Sequence, residues 1–218
     1  MCQYLRKSQM NTFLQKLFTK FYNIHTVPAD EDRGASSIAY TQRLRDRMQD
    51  MFIRHGIRSM FDAGCNDCTW VSRLGDSVEY HGGDISLSMI AQVWFKHPGL
   101  DVTVHDATTD AFPLVDVLFV RDVAIHLCQN DKWLLLDNWV RSGIPWILIT
   151  QDPDVKENKD VVYNTEINEF PIAVVNWHLD PWKFPEPADR VYEMSDDCGR
   201  NMSLWHVDQL RDIVNEMR

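Results

Sequence analysis

The sequence predicts an α/β fold in which a mostly parallel sheet is covered by helices on both faces. The first observation is a short apolar strand that ends in Asp62 and continues into the small-residue loop 63–68. The second is the apolar run 78–83, which ends in another acid, Asp84. The third is the β-branched run 115–121, the strongest strand candidate in the chain. Strands that alternate with helical segments are typical of a doubly wound parallel sheet.

Hydrophobic periodicity and residues that start or stop a helix define the other elements. An amphipathic helix is predicted over 9–23, and we expect it to pack on the main domain, with a membrane-surface or nucleic-acid-facing helix as alternatives. A second helix is predicted over 37–55, with Gly56 as its stop. The elements that follow are predicted in this order: strand Ser59–Ala63, helix Thr69–Leu74, strand Val78–Gly82, helix Leu87–Phe95, strand Leu100–His105, strand Val115–Arg121, helix Asp131–Ser142 and strand Trp146–Thr150.

The last third of the sequence has a different pattern. The acidic stretch 152–160 is predicted as a mobile loop, and 161–187 is predicted to hold late antiparallel strands interrupted by prolines. The segment 204–217 is predicted as a helix or a helix-strand tail. The expected organisation is an N-terminal helix and connector over 1–36 and one main domain over 37–218, with a Pro/aromatic insertion at about 152–190.

Composition excludes several classes of protein. The 218 residues are 44% hydrophobic and include eight tryptophans, which predicts a globular chain with a full core. The net charge of −10 disfavours broad binding to nucleic acid backbones. No apolar run is long enough to span a bilayer. There is no secretory signal and the five cysteines show no disulfide spacing, so a cytoplasmic location is expected.

The two strand-end acids have a spacing that is typical of a nucleotide site. A strand, a tight loop, a helix and a second strand closing on a carboxylate form a mononucleotide-binding half. In such a unit the helix N-terminus faces the ligand, and the second acid accepts hydrogen bonds from ribose hydroxyls. The alternative for Asp84 is a solvated or helix-capping acid, since Ser86 and Ser88 follow it. An adenosine-containing ligand is therefore the first hypothesis.

The motifs in order resemble those of the class I, Rossmann-like S-adenosylmethionine-dependent methyltransferases, in a little-characterised branch. The resemblance covers roughly 33–187 and rests on the loop 62–68, on Asp84, on the pair Asp106-Ala107 and on the segment 121–127. It implies a Rossmann-like sheet, methyl transfer as the activity and S-adenosylmethionine as the cofactor. The cofactor-binding residues that it implies are Arg33, Thr41, Asp62, Gly64, Asn66, Asp84, Ile85, Asp106, Ala107 and Arg121.

Asp122 and His126 are the candidate catalytic residues, since the family places such groups after the fourth strand. If a helical turn begins at Asp122, the two side chains share a face, and the carboxylate would orient the imidazole as a general base. The alternative is a histidine satisfied within the core. An oxygen or nitrogen on a small molecule or carbohydrate is the expected methyl acceptor, with a nucleotide or nucleic acid as the alternative. The late aromatic residues are expected either to wall an acceptor pocket or to pack on the sheet as a lid. They are Phe170, Trp177, Trp182, Phe184 and Trp205.

Other functional classes stay open on specific grounds. The pair Cys65 and Cys68 has the C-x-x-C spacing of redox and metal sites but no second ligand pair, so no metal is predicted. The loop has a single glycine, Gly64, where methyltransferases of this class usually have two or three. A binding protein that kept the fold without catalysis is therefore one rival. A nicotinamide oxidoreductase is another, although the full G-x-G-x-x-G pattern is missing.

Overall fold

A computed structural model of the chain describes residues 13–20, 35–163, 171–193 and 199–217. The described residues form a seven-stranded sheet with the order β3-β2-β1-β4-β5-β7-β6. The strands are β1 Ser59–Ala63, β2 Glu79–Asp84, β3 Val102–Val104, β4 Val117–Val120, β5 Trp146–Gln151, β6 Asp189–Tyr192 and β7 Asn201–His206. The helices are α1 (13–20), α2 Ile38–His55, α3 Leu87–Lys96, α4 Gln129–Ser142 and α5 Val207–Glu216.

The sheet is parallel from β3 to β5 and becomes antiparallel at its far edge. β1 lies between β2 and β4, and all three run in the same direction. β7 returns antiparallel to β5, and β6 completes the edge antiparallel to β7. This arrangement confirms the predicted α/β class with a late antiparallel pair. It also brings the carboxyl ends of β1, β2, β3 and β4 to one edge of the sheet, where ligands bind in open α/β folds.

The two faces of the sheet carry separate layers of the core, as the strand alternation requires. Phe61 on β1 and Leu118 on β4 face the layer that contains α1, α4 and α5. Met60 and Phe119, one residue away on the same strands, face the layer that contains α2 and α3. The predicted N-terminal helix therefore packs on the main domain, because α1 buries Leu14 in the first of these layers.

The local sequence explains where α2 begins and ends. Ser37 caps it by accepting a hydrogen bond from the backbone N–H of Tyr40 at 3.1 Å. Gly56 ends it in the left-handed conformation with φ of 66°. The other predicted helices and strands up to β5 are confirmed with small shifts of their ends, apart from the segment that follows β1.

The helix predicted over Thr69–Leu74 is wrong. The segment after β1 forms two short 3₁₀ helices, Val71–Arg73 and Gly75–Ser77. Cys68 with φ of 56° and Gly75 with φ of 65° interrupt the helical backbone on either side of the first turn. The expected α-helix N-terminus facing the ligand is therefore replaced by a loop whose own backbone lines the edge of β1.

The late strands are also shifted from their predicted place. The described parts of 161–187 contain no strand, and the antiparallel pair lies further along, in β6 and β7. The prolines of 171–187 interrupt strand pairing, and the aromatic residues of this segment enter the core instead. The tail predicted from Leu204 consists of the end of β7 followed by α5. Within the described residues no helix combines the length and the apolar character needed to cross a membrane.

Candidate functional site

A cavity of about 380 Å³ lies at the carboxyl ends of β1, β2 and β4. Almost all of the predicted site residues line it: Asp62, Gly64, Asn66, Asp84, Ile85, Asp106, Ala107, Arg121, Asp122 and His126. Thr41 lies outside it, and Arg33 falls outside the described residues. The topology thus gathers residues that are as much as 64 positions apart in sequence, from Asp62 to His126.

The loop after β1 turns sharply through three residues with positive φ. Gly64, Asn66 and Cys68 have φ of 88°, 52° and 56°. The N–H groups of Gly64 and Cys65 both donate to the carbonyl of Gly83 on β2, at 2.7 and 3.0 Å. Asparagine enters the left-handed region readily, so Asn66 can substitute for a glycine. Cysteine has no such preference, yet Cys68 has the same backbone conformation.

Gly64 is the point at which the loop meets the residues after β4. A Cβ atom placed on Gly64 would lie 2.2 Å from Cγ2 of Val123. The position therefore demands glycine twice, once for its positive φ and once for the close approach of the two segments.

Asp84 is buried at the end of β2 and organises the loop. Its Oδ2 accepts a hydrogen bond from the N–H of Asn66 at 3.2 Å, and its Oδ1 accepts one from the N–H of Ser86 at 2.9 Å. The cap of α3 is Ser86, whose hydroxyl accepts from the N–H of Met89. Ser86 and not Asp84 therefore caps α3, and Asp84 lines the cavity.

Asp106 lines the cavity, and one of its carboxylate oxygens has no hydrogen-bond partner among the described residues. Its Oδ1 accepts hydrogen bonds from the N–H and the hydroxyl of Thr108 at 2.9 and 2.7 Å. Its Oδ2 is buried and has no hydrogen-bond partner among the described residues. Burial raises the pKa of Asp106, with the Thr108 hydrogen bonds acting in the opposite direction. A buried acceptor of this kind needs a donor, which an ordered water or a ligand can supply.

Asp62 is a buried acid near the end of β1. Burial raises its pKa to about 7, although a hydrogen bond from Tyr80 and the charge of Arg121 act in the opposite direction. The Tyr80 hydroxyl donates to Oδ2 of Asp62 at 3.0 Å. We call the part of the cavity formed by Asp62, Gly64, Asn66, Asp84 and Asp106 the acidic side.

Two arginines and two acids form a cluster of alternating charges at the ends of β4 and β6 and at the start of β7. Nε of Arg121 donates to Oε1 of Glu193 at 2.7 Å, and Nη1 of Arg121 lies 3.6 Å from Oδ2 of Asp122. Arg200 pairs with Oδ1 of Asp122 and with Oε2 of Glu193. The cluster is neutral in sum, because its two arginines balance its two acids. No pattern in the sequence indicated that Glu193 and Arg200 would lie beside Arg121.

His126 and Asp122 do not form the pair that was expected. Asp122 has φ of 60°, and only the short 3₁₀ helix Ala124–His126 follows it, so no helical turn aligns the two side chains. Nδ1 of His126 lies 2.8 Å from the carbonyl oxygen of Pro171, which fixes Nδ1 as the donor. Burial lowers the pKa of His126 to about 4, so its ring is neutral near pH 7.

Thr41 has a structural role in the first turn of α2. Its hydroxyl donates to the carbonyl of Ser37 at 2.7 Å and accepts from Nη1 of Arg45. The side chain is fully buried and is not among those that line the cavity. The predicted role of Thr41 in cofactor binding is therefore unsupported by its position.

The roof of the cavity comes in part from segments that the sequence did not mark as functional, namely α1 and the residues around Ile172. Leu14 and Phe18 of α1 line it together with Ile172, Val123 and Leu127, and the ring of Phe18 meets the edge of His126 at 6.4 Å. We call these residues with His126 the apolar side. The only sequence signal was the amphipathic pattern of 9–23, which is common to surface helices.

The late aromatic residues do not wall the cavity. Trp177 stacks on Phe184 with ring centroids 5.2 Å apart, and Trp182 and Trp205 pack against the same group. All four side chains belong to the core layer of α4 and α5, and none lines the cavity. The lid that packs on the sheet was the correct alternative of the two. The remaining aromatic of that prediction, Phe170, lies outside the described residues.

Cys65 and Cys68 are buried free thiols in the loop. A hydrogen bond to Cys68 and burial raise the pKa of Cys65 well above its usual value, which keeps the thiol protonated and unreactive. In the part of the chain that the structure describes, no group of three or more histidine, cysteine or acidic side chains is placed to hold a metal ion.

Comparison with known proteins gives matches only at the level of structure. No protein-family profile matches the sequence, and no curated protein matches it. A magnesium protoporphyrin IX methyltransferase from Synechocystis PCC 6803, solved with bound S-adenosylmethionine, matches with a TM-score of 0.59 at 12% identity over 94% of this chain and 98% of its own. The N-methyltransferase NodS from Bradyrhizobium japonicum WM9 matches with a TM-score of 0.57 at 11% identity over 81% and 98%.

The chain has the fold of the class I S-adenosylmethionine-dependent methyltransferases. The PH0226 protein from Pyrococcus horikoshii OT3 shares the architecture, with a TM-score of 0.59 at 15% identity over 86% of this chain and 98% of its own. Identities this low establish the methyltransferase fold and leave the chemistry to be argued from the cavity.

Proposed function

We propose that the protein transfers a methyl group from S-adenosylmethionine to an oxygen or nitrogen of a small molecule, a carbohydrate included. The observation that carries the proposal is the acidic side, where carboxylates from the ends of β1, β2 and β3 meet in one cavity. The volume of the whole cavity, about 380 Å³, falls in the range of about 300–1,000 Å³ that is usual for small-ligand sites.

The residues present fit the cofactor at two ends of its adenosyl group. Asp84 lies at the end of β2 with both oxygens already oriented by backbone N–H groups, and its remaining lone pairs suit the two ribose hydroxyls. Asp106 Oδ2 is a buried acceptor that suits the exocyclic amino group of adenine. The left-handed loop at Gly64 and Asn66 lets the backbone approach the ligand closely.

The acidic side also suits the charge of the cofactor. Bound there, the cofactor supplies a methyl group already activated on a positively charged sulfur, so the chemistry needs no other electrophile. Asp62 and Asp84 provide a negative environment for that cation at the end of β1 and β2. The contribution of the chain is to position the donor and acceptor in line and to exclude water.

The apolar side is the proposed acceptor site. Leu14, Phe18 and Ile172 exclude water from it and restrict it to an acceptor with an apolar surface. His126 donates its Nδ1–H to Pro171, so the lone pair lies on Nε2, where it can accept a hydrogen bond from an acceptor O–H or N–H. With a pKa of about 4 the imidazole is a weak base, so we assign it to orienting the acceptor. Asp122, paired with two arginines, is proposed to support the same acceptor.

Calorimetric titration with S-adenosylhomocysteine tests the proposal. We expect saturable binding by the wild type and a loss of about 100-fold in Asp84→Asn, since two hydrogen bonds to a charged acceptor are weakened. Asp76→Asn is the matched control, because Asp76 is an exposed acid in the same region of the chain and lies outside the cavity.

The outcomes separate the competing functions. Binding that is lost in Asp84→Asn and kept in Asp76→Asn supports the cofactor assignment and justifies screening acceptors with a labelled methyl group. A wild type that does not bind S-adenosylhomocysteine would leave the non-catalytic binding protein as the better account.

A further inference from the structure

A second cleft lies between α2 and the edge strand β6. It has a volume of about 190 Å³ and is lined by Arg43, Arg47, Asp50, Arg54, Arg190, Val191 and Tyr192. It shares no lining residue with the proposed methyltransferase cavity. The cleft is therefore a separate place on the molecule and is independent of the proposed function.

The cleft concentrates positive charge on an acidic chain. Four arginines and one acid line it, although the chain as a whole carries a net charge of −10. Arg43, Arg47, Asp50 and Arg54 follow one another at intervals of four, three and four residues, so they share one face of α2. The guanidinium groups of this helix face and of Arg190 therefore line one cleft.

Two acids at the rim hold part of this charge in place. Nε and Nη2 of Arg54 donate to Oδ2 of Asp189 at 3.1 and 2.6 Å, which engages two of the five N–H groups of this guanidinium. Nη2 of Arg190 donates to Oε2 of Glu186 at 2.5 Å. Both ion pairs are partly exposed to solvent, and each engages only part of the N–H groups of its guanidinium.

We propose that the cleft binds a phosphate or pyrophosphate group. Guanidinium groups recognise phosphate oxygens through paired N–H donors, and several of them converge here. The volume of about 190 Å³ is below that of whole-ligand pockets, which are about 300–1,000 Å³, so it matches a single anionic group. The acidic remainder of the chain disfavours a long nucleic acid backbone, which makes a small phosphorylated molecule the ligand class.

Titration of the full chain with inorganic pyrophosphate tests this assignment, with calorimetry as the readout. We expect saturable binding by the wild type that weakens about tenfold or more in the double variant Arg47→Gln/Arg190→Gln. Asp50→Asn should bind severalfold more tightly, because it removes the acid in the cleft. Arg141→Gln, an exposed arginine of α4 paired with Asp137, is the matched control and should bind like the wild type.

Each outcome bears on the proposal. Saturable binding that weakens in the double variant, strengthens in Asp50→Asn and persists in Arg141→Gln supports it. A wild type without saturable binding, or a double variant that keeps wild-type affinity with an unchanged circular dichroism spectrum, would overturn it. S-adenosylhomocysteine affinity should be equal in the wild type and the double variant, so the two sites are tested separately.

Discussion

The acidic side and the apolar side of the cavity are built by different means. On the acidic side, Asp62 and Asp84 lie at the ends of β1 and β2, and Asp106 follows β3 by two residues. Backbone N–H groups donate to Asp84 and Asp106, and the Tyr80 hydroxyl donates to Asp62. On the apolar side, Phe18 and Ile172 come from distant segments and meet around the residues after β4. The first arrangement is a property of the sheet edge, and the second is a property of this chain.

The acidic side follows from the fold itself, whereas the apolar side depends on side chains that the fold does not require. Parallel strands that end at one edge bring their terminal carboxylates together whatever the rest of the chain does. Side chains from α1 and from the segment after β5 can change without altering the sheet. We therefore assign cofactor binding to the acidic side and acceptor choice to the apolar side.

Substitution of Gly64 should have the largest effect on stability, because Gly64 on the acidic side lies directly against Val123 on the apolar side. Gly64→Ala places a Cβ 2.2 Å from Val123 and forces a positive φ of 88° on alanine. We expect a loss of about 2–4 kcal/mol in the free energy of unfolding, measured by urea denaturation. S-adenosylhomocysteine affinity should fall as well, since Gly64 lines the cavity.

Gly75→Ala is the matched control for that experiment. Gly75 has φ of 65°, but a Cβ there would meet nothing within 4 Å, so it isolates the conformational cost of about 1 kcal/mol. The further change Val123→Ala should recover part of the stability of Gly64→Ala. Equal losses at Gly64 and Gly75 would contradict the close approach of the two sides.

Stability measured against pH should distinguish the two sides of the cavity, because Asp62 on the acidic side has a pKa of about 7. Its pKa is raised from 3.8 to about 7, so the stability it contributes when protonated is complete below pH 3.8 and is lost as the pH rises through about 7. Asp62→Asn should therefore be more stable than the wild type at pH 8, and the difference should shrink toward pH 5. Thermal unfolding at several pH values measures it.

The same titration should change the choice between the two forms of the cofactor. As Asp62 ionises, the preference for cationic S-adenosylmethionine over neutral S-adenosylhomocysteine should grow, by about tenfold from pH 6 to pH 8. Asp62→Asn should show no such trend. A wild-type preference that is flat across this range would contradict the placement of Asp62 beside the cofactor sulfur.

Thr41 lies outside the cavity, so its substitution should have the smallest effect on ligand binding. Thr41→Val removes the hydroxyl that bonds Ser37 and Arg45, and we expect a stability loss of about 1–2 kcal/mol. S-adenosylhomocysteine affinity should stay within about twofold of the wild type. A large loss of affinity with little loss of stability would instead restore Thr41 as a cofactor contact.

The acidic side was the more predictable of the two from sequence. Asp62 and Asp84 end apolar runs about one strand-loop-strand unit apart, and that spacing alone locates them at one edge. Their hydrogen bonds, and the orphan oxygen of Asp106, depend on loop geometry that composition does not reveal. Cys68 illustrates the limit, since its residue type gives no indication of a left-handed backbone.

The segment 121–127 was predicted to belong to the site, but Leu14, Phe18 and Ile172 of the apolar side escaped prediction because their contacts with it are long-range. Leu14 and Phe18 belong to an amphipathic pattern that would pack equally well on any face. Arg200 reaches Asp122 through the antiparallel return of β7 beside β5. The expected Asp122–His126 pair failed for a local reason, because a positive φ at Asp122 ended the helical spacing on which it rested.

A crystal structure of the chain with S-adenosylhomocysteine would show whether the cavity binds the cofactor in the proposed position. We expect the ribose hydroxyls on the Asp84 carboxylate, the adenine amino group on Oδ2 of Asp106, and the thioether facing the apolar side below Phe18. A ligand that lies elsewhere, or one whose adenine leaves Oδ2 of Asp106 without a donor, would contradict that proposal.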